Sequence, residues 1–360
     1  MKEAVKVSII TVVYNGIATI EQTIKSVINQ NYSNIEYIII DGASTDGTRE
    51  LIRKYADYID VFISEADEGL YYAMNKGIKS ASGEIIGILN SDDLYVDTAV
   101  YQVVDYYNKY NVDILYGDAM WFGGSEQEEL YSCTNLEDLW YRMAIPHPAT
   151  FVKKEIYEKY GSFNTKYHIS ADYDLMLRMY SRNLKFGHIN EILTYFRRGG
   201  VSLKKQKESL KEGMEISLHY IQRCNDKDRW LPKIYEYNIL GRFSLILSED
   251  IVIEKFKKII CGETNNKTVI FGTGKWSERC IDILLQADVC IDFVVDNNKT
   301  KWGEKFHGVI VKSPSELCNY EGVILIATYK YEKEIRQQLK GINEQLAVFS
   351  ILNWAEAAVM

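Results

Sequence analysis

The chain has 360 residues, 47% of them hydrophobic and 26% charged, with a formal net charge of −8. That length holds about two domains with sizeable cores, and the acidic balance argues against a general nucleic-acid binder. The 27 tyrosines suit clefts that stack on flat rings or sugar faces, and only 4 prolines are present, so long disordered linkers are not expected.

The first element, "VKVSIITVVY", reads as a buried strand. Its apolar run is short, ends in Tyr14-Asn15-Gly16 and lacks a small-residue cleavage site, so a strand is expected rather than a signal peptide. Ile20, Ile24, Val27 and Ile28 then recur at helical spacing. "IEYIIIDGAS" is a second apolar strand, and Leu51, Ile52 and Tyr55 mark a helix after it. "VFISEADEG" is a third strand, with Asp67 as the expected N-cap of a helix whose apolar face carries Leu70, Ala73, Met74, Gly77 and Ile78. "GEIIGILNSDD" is a fourth strand. Repeated β-α-β units with fully apolar strands predict a parallel sheet covered by helices on both faces.

In such sheets ligands bind beyond the carboxyl ends of the strands. Asn15 follows the first strand, Asp41 the second, Glu65 and Asp67 the third, and Asn90 to Asp93 the fourth. All these polar clusters are expected along one edge. Two adjacent carboxylates at the end of an apolar run repel each other. A surface turn would tolerate Asp92-Asp93; a cation held there would explain them. The acidity of the edge also suits ribose hydroxyls and base N–H groups.

Further on, "VDILYGDAMWFGG" predicts a strand and hairpin, and "IPHPATFVKKEIYEKYG" a loop, a strand and a helix start. "ADYDLMLRMY" is a helix, with Asp174 as its surface acid and Asp172 as either an N-cap or a chemical group. "FGHINEILTYFRRGGVSL" is a strand entering a basic, glycine-containing loop. Residues 206–264 read as a charged helical connector, and residues 265–360 as a smaller α/β domain. There "KTVIFGTGKW" is strand, glycine turn and helix, and "VCIDFVVDNN" is a strand ending in Asp296. Gly272, Gly274 and Asp296 make a partial dinucleotide fingerprint with Ser277 where a third glycine would fall. Weak or no dinucleotide binding is expected there, and a main role in association or acceptor presentation. The six cysteines (Cys133, Cys224, Cys261, Cys280, Cys290, Cys318) show neither a CxxC pair nor metal-ligand spacing, and read as reduced, buried thiols of a cytoplasmic protein. No window approaches the ~20 apolar residues of a spanning helix.

The fragments "SIITVVYN", "IIIDGASTDGT", "SEADEGLYYAMNKGIKSASGEIIGILNSDD", "PHPATFVKKEIYEKYGSFN", "ADYDLMLRM" and "FRRGGVS" follow one another in residues 1–205. In order and spacing they resemble the family 2 glycosyltransferases. The resemblance implies a GT-A fold: a mixed, mainly parallel sheet flanked by helices. It implies an inverting transfer of sugar from a nucleotide-sugar donor, commonly UDP-linked, to a hydroxyl of a saccharide or lipid-linked acceptor in surface polysaccharide assembly. Thr11 and Asn15 fall on the family's first strand, whose end contacts the nucleobase. Asp41 matches the acid that bonds the base, and Asp67 and Asn75 match positions flanking the nucleotide. Asn90-Ser91-Asp92 stands where the family has its DxD motif, which implies a divalent metal, Mn²⁺ or Mg²⁺, held against the donor diphosphate. Because the first acid is Asn90 here, Asp92 is the expected direct ligand, with Asp93 as a further metal-site residue, behind that ligand or against the sugar. The family's ED motif, whose aspartate is the catalytic base, appears as Ala171-Asp172.

Hard cations take carboxylate and carbonyl oxygens, and a positioned carboxylate can accept the acceptor's proton. His147, between Pro146 and Pro148, is either a contact to the acceptor or donor sugar or an ordinary loop residue. Arg198, with Arg197 before Gly199-Gly200, either meets a diphosphate or lies on a solvated basic face. Lys204, Lys205, Lys207 and Lys211 raise peripheral contact with an anionic membrane as a further expectation, and the second domain raises homo-oligomerisation. The rivals are a nucleotidyltransferase of similar sheet type, which would want a Gly/Arg/Lys-rich loop after the first strand that "TVVYNG" lacks, and a nucleotide-sensing regulator using the second domain.

Overall fold

The computed structural model describes residues 4–124, 127–235, 237, 267–286, 288–328 and 331–351. The chain divides into two compact units, Met1–Trp230 and Leu231–Met360.

In the first unit, β1 (Val7–Val13), β2 (Ile35–Asp41), β3 (Val61–Ser64) and β4 (Ile85–Asn90) pair in parallel in the order β3-β2-β1-β4. Every residue of β1 is buried, as a strand covered on both faces requires. The sheet then turns mixed. Strand β8 (Thr150–Lys153) runs antiparallel between β4 and β6 (Ile114–Phe122), and β9 (Phe186–Arg197) lies parallel to β6. The short β5 (Leu94–Tyr95) and β7 (Glu129–Tyr131) complete nine strands.

Helix α1 (Ile20–Ile28) buries Ile20, Thr23, Ile24 and Val27, the i, i+3, i+4, i+7 stripe. After α2 (Thr48–Arg53), helix α3 (Leu70–Ser80) buries Tyr71, Ala73, Met74, Gly77 and Ile78. Leu70, expected on that face, is 43% exposed, because it opens the helix beside Gly69. Asp67 does not cap α3: Gly69 is the N-cap, and Lys76, further along the helix, draws the Asp67 carboxylate to 2.6 Å.

Gly77 sets how closely α3 approaches β1. A Cβ there would lie 2.4 Å from Cγ2 of the fully buried Ile10. Gly77→Ala should therefore lower stability, since overpacking of about 1–3 kcal/mol exceeds the helix-propensity gain of about 1 kcal/mol. The check is the urea midpoint; an unchanged or raised midpoint would show that α3 gives way freely.

Helices α4 (Ala99–Tyr110) and α5 (Lys154–Tyr160) cover the sheet, and α6 (Ala171–Tyr180) carries the ED-motif aspartate. After the short α7 (Val201–Lys204), α8 (Gln206–Ile221) packs as part of this unit. Glu212 accepts the backbone N–H groups of His168, Ile169 and Ser170, and the Tyr173 and Ser217 hydroxyls lie 2.8 Å apart. The division at Trp230 thus falls beyond the expected boundary at 205, because α8 and the start of α9 (Lys227–Tyr235) are bound to the sheet unit. Residues 238–264 of the expected connector lie outside the described residues. Asp174, read from sequence as a surface acid, is 3% exposed. Arg178 lies 3.5 Å from it and the Tyr220 hydroxyl donates to it at 3.0 Å.

The second unit holds a six-stranded sheet in the order β12-β13-β11-β10-β14-β15, made of β10 (Thr268–Phe271), β11 (Ile291–Val295), β12 (Lys305–Phe306), β13 (Val309–Lys312), β14 (Val323–Ile326) and β15 (Ala347–Ser350). All pairs but β12–β13 are parallel. Helices α10 (Lys275–Gln286) and α11 (Glu332–Ile342) accompany it. Val269, Phe271, Val295, Ile324 and Leu339 anchor its core. Of the described cysteines, Cys133 and Cys280 are buried as expected, while Cys290 and Cys318 are exposed. Among the described residues no helix is long and apolar enough to cross a membrane.

Candidate active site

The parallel register levels the strand ends. Val13 pairs with Asp41, Asp41 with Ser64, and Val12 with Asn90. The loops after β1, β2, β3 and β4 therefore leave one edge of the sheet together.

Asn15, at φ 51°, ties the first two loops. Its side-chain oxygen accepts from the Thr45 N–H at 2.9 Å, and its own N–H donates to the Ser44 hydroxyl at 2.7 Å. Asp41 lies under this crossing, fully buried. It accepts from the Ser44 N–H at 3.1 Å and from the Ser64 hydroxyl at 2.6 Å. Thr11 sits deeper, also fully buried, with its hydroxyl 3.2 Å from that of Tyr37. The structure thus places Thr11 inside the sheet rather than at its edge. Asn75 is likewise directed away: its amide clasps the Phe163 backbone, donating to the carbonyl and accepting from the N–H at 2.9 Å each. At the third loop Lys76 bridges Glu65 and Asp67, each at 2.6 Å. The second oxygen of Asp67 is buried without a hydrogen-bond partner among the described residues.

The fourth loop is a tight turn, closed by the Asp93 N–H donating to the Asn90 carbonyl at 3.1 Å. Ser91 faces the first loop, where a Cβ on Gly16 would lie 3.3 Å from its hydroxyl. Asp92 and Asp93 point to different places. Asp93 is fully buried and spends its carboxylate inside, accepting from the Arg197 N–H at 2.9 Å and from the Asn90 amide at 3.4 Å. Burial, and then the Asp92 charge, push its carboxyl well above the ordinary range. The expectation that Asp93 faces a metal is corrected accordingly: its oxygens hold the turn. Asp92 is half-buried, and burial raises its carboxyl above the ordinary value against the charges of Arg197 and Lys204. Arg197 donates to the Asp92 backbone carbonyl through Nε at 2.9 Å. The side-chain oxygen of Asn90 is buried with no partner among the described residues.

Oxygen donors of this kind fit a hard divalent cation. Among the described residues no three His, Cys, Asp or Glu side chains gather as a metal centre. An ion here would rest on Asp92, the Asn90 amide oxygen and the ligand's own phosphate oxygens, the pattern by which Mg²⁺ is usually held.

Asp172 stands in the first turn of α6. One oxygen accepts from the Tyr173 N–H at 2.8 Å and lies 3.2 Å from the Tyr71 hydroxyl, which also reaches the Ile169 carbonyl at 2.6 Å. Burial and then the Asp172 charge push the Tyr71 phenol well above its ordinary value, so it remains a donor. Phe163 stacks on Tyr71 at 5.3 Å and meets the His147 ring edge-on at 5.7 Å. Burial lowers the His147 imidazole below its ordinary value, opposed by the Asp172 charge. His147, Tyr71 and Asp172 thus form one cluster from three segments of the chain.

Arg198 does not join the acidic turn. It reaches Glu129 at 3.1 Å and lies over the Trp121 ring. Its neighbour Arg197 is the arginine at the site, bonding the turn and also Gln22 of α1 at 2.8 Å. No local signal separates two adjacent arginines; strand parity at the end of β9 does.

The geometry has counterparts. Residues 8–183 match the model of glycosyl transferase family 2. The chain is 30% identical over 211 residues to the Escherichia coli UDP-Glc:alpha-D-GlcNAc-diphosphoundecaprenol beta-1,3-glucosyltransferase WfaP, covering 57% of this chain and 83% of that one. The chain belongs to glycosyl transferase family 2. The fold of this family 2 glycosyltransferase is also that of Staphylococcus aureus TarS residues 1–349 in complex with UDP, at a TM-score of 0.58 and 16% identity over 71% of this chain and 78% of that one. A Pyrobaculum calidifontis mannosyltransferase in complex with GDP-Man and Mn²⁺ gives a TM-score of 0.52 at 17% identity, over 67% and 71% of the two chains. Residues 264–346 match a second model, described as C2185-like, N-terminal.

In that second unit the glycine turn is built as expected, with Gly272 at φ 110°. Open space lies where a Cβ on Gly274 would project. Asp296 is engaged internally: Thr273 donates to one oxygen at 2.5 Å, the Asn298 N–H to the other at 2.8 Å, and Lys301 stands 3.8 Å away.

Proposed function

We propose that the chain transfers a sugar from a UDP-linked donor to a hydroxyl of a saccharide or lipid-linked acceptor, with inversion at the anomeric carbon. The observation that carries this reading is the pairing of two features in one unit. One is an acidic turn at the sheet edge that carries the half-buried Asp92. The other is the Asp172 carboxylate held at the head of α6 beside Tyr71 and His147. The name of WfaP, with its UDP-Glc donor and alpha-D-GlcNAc-diphosphoundecaprenol acceptor, supports the donor and acceptor classes. The Mn²⁺ complex of the mannosyltransferase supports a divalent metal.

In this reading Asp92 and Asn90 hold Mn²⁺ or Mg²⁺, and the loops after β1 and β2, organised by Asn15 and Asp41, receive the nucleoside. When bound, the cation supplies charge neutralisation to the departing diphosphate. Asp172 takes the acceptor proton as the hydroxyl attacks, and the Tyr71 contact fixes the orientation of its carboxylate. A single displacement with one carboxylate base inverts the sugar configuration. The acceptor in the relative's name supports a step in polysaccharide or glycolipid assembly.

A panel of nucleotide sugars, assayed for donor hydrolysis with Mn²⁺, tests the proposal. UDP-hexoses should be hydrolysed, EDTA should abolish the reaction, and Mn²⁺ or Mg²⁺ should restore it. Full activity in chelator would remove the metal from the account.

A further inference from the structure

We propose that Arg197 is a positioning residue of the donor site, holding the backbone of the Asn90–Asp93 turn so that the Asp92 carboxylate is presented outward. The inference rests on the donor-site reading above. It concerns a residue that bonds the protein through two of its side-chain nitrogens, Nε and Nη2.

Arg197 ends β9, 105 residues from Asp92 in sequence. It grips the turn twice. Its backbone N–H donates to the buried Asp93 carboxylate at 2.9 Å, and its Nε donates to the Asp92 carbonyl at 2.9 Å. Its Nη2 reaches the Gln22 side-chain oxygen on α1 at 2.8 Å, and the guanidinium lies over the Phe122 ring, 4.4 Å from its centroid. Helix α1 holds the turn from the other side, where the Thr23 hydroxyl donates to the Asp93 carbonyl at 2.9 Å. The turn backbone is thus fixed between α1 and β9.

The consequence is chemical. Two adjacent carboxylates separate if they can, and a loose turn would have to be ordered each time a cation bound. Arg197 removes that freedom while leaving the Asp92 oxygens available. A lysine could not substitute: the arrangement needs two donors diverging from one planar group that also lies flat on an aromatic ring. Residues that orient a metal ligand in this way typically govern metal affinity by about 10–100-fold.

The test uses the full chain, with Mn²⁺ titrated calorimetrically in the presence of UDP, and kcat and KM measured across Mn²⁺ concentration. Arg197→Lys and Arg197→Gln should both weaken Mn²⁺ binding roughly 10–100-fold. At saturating Mn²⁺, kcat should return to within a few-fold of the unaltered chain. Gln22→Ala, an exposed change that leaves the fold intact, should weaken Mn²⁺ binding by a smaller factor of roughly three to ten. A merely structural arginine would lower the unfolding midpoint and leave the Mn²⁺ affinity of the folded chain unchanged. Unaltered Mn²⁺ affinity in Arg197→Lys, or in Gln22→Ala should the arginine variants not fold, overturns the inference alone. An unaltered chain that bound no Mn²⁺ with UDP would overturn the donor-site reading, and this inference with it.

Discussion

Asp172→Asn should bind the UDP donor as tightly as the unaltered chain and turn it over roughly 10²–10⁴-fold more slowly. The substitution keeps the shape of the side chain and can still accept from the Tyr173 N–H, so α6 should start as before. What it loses is the ability to take a proton. Among the described residues the neighbouring carboxylates are otherwise engaged: Asp174 is buried against Arg178 and Tyr220. Glu212 is committed to three backbone N–H groups. Steady-state kinetics beside donor-binding calorimetry check the expectation. A variant with unaltered kcat would move the proton elsewhere, and His147, kept below its ordinary basicity by burial, would be the next group to replace.

Asp92→Ala should cost at least about 10² in turnover, because the turn offers the cation only one outward carboxylate. Asn90 is neutral, and Asp93 is enclosed with both oxygens engaged. Removing Asp92 leaves an amide oxygen and the ligand's phosphates. The loss should be partly relieved by high Mn²⁺, which distinguishes it from the Asp172→Asn defect. Kinetics across a Mn²⁺ series decide, and a variant with the unaltered Mn²⁺ dependence would show that the metal, if used, is held elsewhere.

Much of this arrangement was legible in the sequence because periodicity and topology are local. Apolar strands separated by helical stripes required a mainly parallel sheet, and a parallel sheet places the ends of β1 to β4 at one edge. The direction of each side chain was less legible. In a strand buried on both faces, alternation carries no contrast, so nothing in "SIITVV" tells that Thr11 turns toward Tyr37. The doublet Asp92-Asp93 reads as one acidic feature, yet one member faces inward because a residue 104 positions later supplies its N–H partner. Asn75 meets Phe163 across 88 residues, and α8 joins the first unit through Glu212. Pairings of that range follow from the assembled fold and leave no short-range pattern.

The most direct test of the account is the anomalous difference map of crystals grown with Mn²⁺ and UDP. The account predicts a Mn²⁺ peak at the carboxyl end of β4, within direct coordination of the Asp92 carboxylate, with the uridine lying toward the loops after β1 and β2. UDP bound there without Mn²⁺ beside Asp92, or Mn²⁺ and UDP found at another place in the chain, would contradict it.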